Sequence, residues 1–60
     1  MKRTEIRLGT KVRVIGAPKD SPIYEVEKWI TSFVVDLIYK TETGKTVSGG
    51  QMDISLLRRA

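Results

Sequence analysis

The sequence predicts a small all-β domain of five short strands, and three observations lead to that fold class. Phe33–Lys40 is mostly β-branched or aromatic, and it runs directly into Thr41–Lys45, a turn segment that contains a glycine. A second segment, Lys11–Ile15, alternates basic and apolar residues. No window of a dozen residues carries apolar side chains at helical spacing. We therefore expect an antiparallel sheet with Phe33–Lys40 at its centre.

The length and the composition limit what the chain can do. Its 60 residues allow one domain, residues 1–60, with a thin core. The chain has no cysteine and no histidine, which removes disulfides, the usual zinc ligands and the commonest general base. Asp36 and Asp53 have no evident partner carboxylate in the sequence. We expect no metal, no cofactor and no enzymatic activity.

The first two predicted strands flank a loop. In Lys11–Ile15, alternation places Val12 and Val14 inward and the basic residues outward. Gly16–Pro22 contains two prolines and a glycine, which is typical of a loop. Ile23–Ile30 is the second strand. Strict alternation places its tryptophan on the outer face beside two glutamates, whereas a bulge or strong twist would turn the indole inward.

The second half of the chain predicts three more strands. Thr31-Ser32 is expected to be a two-residue connection into the third strand, Phe33–Lys40. A fourth strand covers Lys45–Ser48, and the two glycines that follow allow a bend. Gln51–Leu56 predicts a 3-10 turn capped by its aspartate, and Leu57–Arg59 is the last strand. The predicted core is Val12, Val14, Val26, Phe33, Val35, Leu37 and Leu56, with Tyr24 and Tyr39 at its margins.

The net charge of +4 is unevenly distributed along the chain. Residues 1–19 contain six basic side chains and one acidic side chain, and residues 43–60 contain three and one. Residues 20–42 contain two basic and five acidic side chains. If the first and last strands pair, the molecule has one positive face.

Two segments resemble a known fold family. Gly9–Val14 and Asp53–Arg59 are similar to the first and last elements of SH3-like small barrels. That family includes the C-terminal DNA-binding domain of retroviral-type integrases, KOW-type ribosomal and transcription modules, and a small accessory protein of photosystem I. The resemblance implies a five-stranded SH3-like barrel with a short 3-10 turn before the last strand, and an OB-type barrel is the alternative. Either barrel closes or nearly closes the sheet.

The basic ends are the best indication of function. In SH3-like barrels the first and last strands lie close together, which would gather the cations into a surface that neutralises phosphates without reading bases. The other interpretation is a solvated surface that keeps the protein soluble. The candidate residues for binding DNA or RNA are Arg3, Arg7, Lys11, Arg13, Arg58 and Arg59.

The alternative hypothesis is a module that binds another protein or a second copy of itself. Its candidate surface is the outward face with Trp29, Val34 and Ile38, because a large outward indole is unusual unless it contacts a partner. No segment approaches the roughly 20 apolar residues of a membrane span, and no apolar segment follows the first five residues. We expect a complete, cytoplasmic gene product without membrane contact.

Overall fold

The five strands form one antiparallel sheet in the order β4-β3-β2-β1-β5. The computed structural model describes residues 1–60. It confirms the all-β class, the five strands and the 3-10 turn before the last strand. β4 and β5 are the two edges of the sheet, so the sheet is not closed. The strands are β1 (Lys11–Val14), β2 (Tyr24–Trp29), β3 (Val34–Lys40), β4 (Thr46–Asp53) and β5 (Leu57–Arg59), with 3-10 turns at Arg3–Glu5 and Ile54–Leu56.

The predicted turn between β3 and β4 is confirmed. The Thr41 N–H donates to the Lys45 carbonyl at 2.8 Å, and the Gly44 N–H donates to the Thr41 carbonyl at 2.9 Å. Gly44 has a φ of 83°, a conformation that glycine adopts without steric cost. The short connection is what allows β3 and β4 to pair along seven residues.

The connection between β2 and β3 is longer than predicted. It includes Ile30 to Phe33, because the hydroxyl of Thr31 accepts hydrogen bonds from the N–H groups of Phe33 and Val34, both at 3.1 Å. These two backbone N–H groups therefore bond to the Thr31 side chain instead of to a neighbouring strand. Phe33 therefore lies in the turn with 64% of its surface exposed, and its predicted place in the core is wrong.

A bulge in β2 decides the orientation of Trp29. Val26 pairs with Leu37, but the next pairs are Lys28 with Asp36 and Trp29 with Val35, so Glu27 is an extra residue. The extra residue reverses the alternation beyond it. Trp29 consequently lies on the same face as Val35 and packs, partly buried, against the core.

β4 continues through the two glycines at which we expected a bend. Leu37 pairs with Gly50 and Ile38 with Ser48, so Gly49 is the extra residue of a second bulge. A Cβ added at Gly49 would lie 2.6 Å from Cε1 of Tyr24. The missing side chain therefore leaves room for the Tyr24 ring, and the bulge extends the strand to eight residues.

The core lies between the sheet and the N-terminal segment that precedes β1. Predictions for Val12, Val26, Val35 and Leu37 are confirmed, and Val14 packs partly buried at the edge. Tyr24 and Tyr39 stack edge to face at its margin, with ring centroids 5.5 Å apart. Leu56 is 51% exposed, because the 3-10 turn directs its neighbours inward instead. The buried residues that the sequence did not predict are Ile6, Ile54 and Leu57.

Candidate nucleic-acid interface

The two ends of the chain meet in the predicted way, because β1 and β5 pair. Arg13 lies opposite Arg58, and Val14 lies opposite Leu57. Since Leu57 is buried, alternation sends both arginines to the outer face of the sheet. Directly opposite side chains have Cβ atoms about 4.5–5.5 Å apart, and like charges at such positions destabilise a sheet. Repulsion between these two arginines therefore acts against the stability of the fold.

A cleft of about 400 Å³ opens beside the arginine pair. Its wall is the β1–β2 loop, which turns at Gly16 with a φ of 82°. A second turn in this loop is closed by the Ser21 N–H, which donates to the Pro18 carbonyl at 3.0 Å. That turn includes Lys19, which lines the cleft. Three of the eight lining residues are basic and none is acidic.

Two other predicted residues lie near the arginine pair. Lys11 is on the same outer face, two residues before Arg13, but it lies opposite Glu25 of β2. Opposite charges in such a pair attract one another, so Lys11 contributes less net positive charge to the surface. Arg59 lies opposite the buried Val12, and it therefore leaves β5 from the core side, at the exposed end of the strand.

The remaining two predicted residues lie on the N-terminal segment. The guanidinium carbon of Arg3 is 5.9 Å from the ring centroid of Trp29, which is a cation–π arrangement on the core side of the sheet. Arg7 is exposed, and its backbone N–H donates to the Thr10 hydroxyl at 2.9 Å. Arg13 and Arg58 are therefore brought together with Lys11 nearby, while Arg3 is separated from them by the sheet.

The structure does not bring Trp29, Val34 and Ile38 into one patch. The bulge in β2 turns Trp29 to the core side. Val34 and Ile38 lie on the outer face, where each is half-buried. Ile38 shares a depression of about 200 Å³ with Lys11 and Glu25, which gives that surface a mixed character.

A different pair of apolar side chains is exposed beside the arginine pair. The Ile15 N–H donates to the Leu56 carbonyl at 2.8 Å, which continues the β1–β5 pairing by one residue. Ile15 is 55% exposed and Leu56 is 51% exposed. Following the register from Val14 and Leu57, this pair faces outward as the arginines do.

One acidic residue, Asp53, caps the 3-10 turn before β5. One carboxyl group has a clearly displaced pKa: the N–H of Ser55 donates to Asp53 at 2.9 Å and lowers the pKa of Asp53 below 3.8. This confirms the predicted cap of the 3-10 turn. No group of three or more histidine, cysteine, aspartate or glutamate residues could hold a metal ion. No helix has the length and apolar character needed to cross a membrane.

Sequence reasoning did not include Lys19, which lines the cleft, among the candidate residues. Lys19 counts toward the positive charge of residues 1–19, but no periodicity marks it, because it lies in the loop. Pro18, directly before it, and Pro22, three residues after it, were the available signal, since prolines restrict the backbone of the loop. Comparisons with protein-family models, with curated proteins and with solved structures give no significant match to this chain.

Proposed function

We propose that this chain is a non-enzymatic module that binds nucleic acid without sequence preference. The binding surface is the arginine pair of β1 and β5 with the adjacent cleft. The observation that carries the proposal is that three cations line this cleft without a carboxylate. Phosphates would relieve the repulsion between Arg13 and Arg58, which the free protein tolerates at a cost to its stability. Side chains of this kind contact phosphates and do not distinguish bases.

We also propose that the sheet is an SH3-like barrel that stays open between β4 and β5. The first four strands follow one another as neighbours, and β5 then returns to pair with β1 after a 3-10 turn. This arrangement agrees with the resemblance of the chain ends to SH3-like barrels. It supports the function because the arrangement places the first and last basic segments on neighbouring strands.

The test is binding to labelled duplex DNA and RNA of unrelated sequences at low salt, followed by fluorescence anisotropy. The double variant Arg13→Gln/Arg58→Gln is expected to lose affinity by about the same factor for every sequence. Its melting temperature should equal or exceed that of the wild type, because the variant removes a like-charge pair. The matched control is Lys40→Gln/Lys45→Gln, which removes two exposed charges at the β3–β4 turn. If both double variants lose the same amount of affinity, the loss reflects net charge alone and the arginine pair is rejected as the binding site.

A second candidate function is protein–protein association, which the exposed Ile15 and Leu56 favour. Neighbouring large apolar side chains that are more than half exposed indicate a contact surface more often than an isolated one does. Sedimentation of the wild type and of Ile15→Ser/Leu56→Ser tests this function. If the wild type self-associates and the variant is monomeric, the result supports this function. If both proteins are monomeric, the result rejects self-association.

A further inference from the structure

We propose that the cleft beside the arginine pair binds a phosphomonoester group. Such a group occurs at the phosphorylated end of a nucleic-acid strand and in a free nucleotide. The inference rests on the proposed function and makes it more specific: internal phosphodiesters contact the outer face of β1 and β5, while a terminal phosphate enters the cleft. Two properties of the cleft carry this step, its charge and its shape.

The charge of the cleft matches a dianion better than a single negative charge. Arg13, Lys19 and Arg58 line it, and no acidic residue does. A phosphodiester or a carboxylate supplies one negative charge, whereas a phosphomonoester carries about −1.5 to −2 at pH 7 and has three acceptor oxygens. Each guanidinium can donate two parallel hydrogen bonds. The three oxygens of one phosphomonoester can therefore accept hydrogen bonds from both arginines. A phosphodiester or a carboxylate offers the two arginines only two free oxygens.

The shape of the cleft favours a chain end over the middle of a duplex. Its volume of about 400 Å³ lies within the range of small-ligand sites, roughly 300–1,000 Å³. A duplex presents its phosphates on a convex surface, which can lie against the rim of the cleft and its cations but does not insert a phosphate into it. A single phosphate with its sugar can enter. Ala17 and two prolines line the same cleft and give the sugar an apolar wall, and the half-buried residue Ser21 adds a hydroxyl that can donate a hydrogen bond.

The loop that forms the wall is restricted before any ligand binds. Pro18 and Pro22 fix two of its φ angles, and the Ser21 N–H closes the turn onto the Pro18 carbonyl at 3.0 Å. Lys19 is the residue after Pro18, so this turn sets the position of its backbone. A site whose loop is already ordered loses less conformational entropy on binding.

The test compares one short single strand in three forms: with a 5′-phosphate, with a 3′-phosphate and with hydroxyls at both ends. Fluorescence anisotropy at about pH 7.5 should show roughly ten- to hundredfold tighter binding of a phosphorylated form than of the hydroxyl form. The difference should shrink toward pH 5, because the second ionisation of the phosphate lies near pH 6. Arg13→Gln/Lys19→Gln should abolish the difference, and Lys40→Gln/Lys45→Gln should retain it.

The outcomes separate this inference from the proposed function. Equal, salt-sensitive binding of all three strands would overturn recognition of the end and leave nucleic-acid binding intact. A phosphate-dependent gain that survives in Arg13→Gln/Lys19→Gln would overturn the assignment to the cleft. In a parallel NMR titration, shifts at Arg13 and Ser21 with adenosine monophosphate but no strand binding would support the phosphomonoester site and reject the proposed function. No response to the strands, adenosine monophosphate or inorganic phosphate would overturn both.

Discussion

Replacing Gly49 with alanine tests how tightly the second bulge is packed. The new Cβ would lie 2.6 Å and 2.7 Å from two ring carbons of Tyr24 and 3.3 Å from Cβ of Leu37. Ordinary contacts between carbon atoms are about 3.5–4.0 Å. The ring cannot retreat freely, because it also packs edge to face against Tyr39. Leu37 is fully buried and cannot move into solvent either.

The expected loss of stability follows from this overlap. Adding a methyl group to a well-packed site costs about 1–3 kcal/mol, while a domain of this length has a total stability of roughly 3–9 kcal/mol. Each kcal/mol lowers the melting temperature of a small domain by about 4–8 °C. Gly49→Ala should therefore melt on the order of 10 °C below the wild type, measured by circular dichroism.

Two further variants make the reasoning refutable. In a Tyr24→Leu background the added methyl group has room, so Gly49→Ala should cost clearly less there than in the wild type. Gly50→Ala is the matched control, because its Cβ meets nothing within 4 Å but its φ is 83°. Gly50→Ala should lose stability because alanine is strained in this backbone conformation, and Tyr24→Leu should not reduce that loss. Equal costs of Gly49→Ala in both backgrounds would refute the packing argument.

Three other predictions concern the core and the caps. Leu37→Ala should cost about 2–5 kcal/mol in urea unfolding, whereas Phe33→Ala should change stability by less than about 0.5 kcal/mol; a cost of Phe33→Ala as large as that of Leu37→Ala would restore Phe33 to the core. Trp29→Ala should lower the melting temperature clearly, because the indole packs against the core. Arg3→Gln should lower it only slightly, since an exposed cation–π contact is worth about 0.5–1 kcal/mol. An unchanged melting temperature in Trp29→Ala would show that the indole does not contribute to the core. The pKa of Asp53 is lower in the folded protein than its ordinary 3.8, so its carboxylate stabilises the fold above that pH and the contribution disappears as the pH falls through the folded value. The stability difference between the wild type and Asp53→Asn should therefore shrink in acid, and a constant difference from neutral pH to about pH 2 would contradict the cap.

The sequence predicted the strands well because their signals are local. Alternation in Lys11–Val14 and the glycine turn before β4 each need only neighbouring residues, and both are confirmed. The faces of the side chains depend instead on pairing with another strand. The extra residue Glu27 reversed the orientation of Trp29, and no pattern within β2 alone fixes where such a bulge falls.

The candidate site was predictable in part for the same reason. Arg13 and Arg58 followed from alternation together with pairing of the terminal strands, which the resemblance to a fold family implied. Lys19 depended on the path of the β1–β2 loop, and Arg3 depended on packing of the N-terminal segment against Trp29. The path of the loop and the packing of the N-terminal segment depend on the tertiary structure, and the distribution of charges along the sequence does not predict them.

The salt dependence of binding to a duplex tests the central claim most directly. Each phosphate contact contributes a slope of about −0.9 to the plot of log affinity against log salt. Arg13→Gln/Arg58→Gln should therefore flatten the wild-type slope by about two, while Lys40→Gln/Lys45→Gln should leave it nearly unchanged. Binding that is indifferent to salt, or a slope that is the same in all three proteins, would contradict a phosphate-binding surface at the arginine pair.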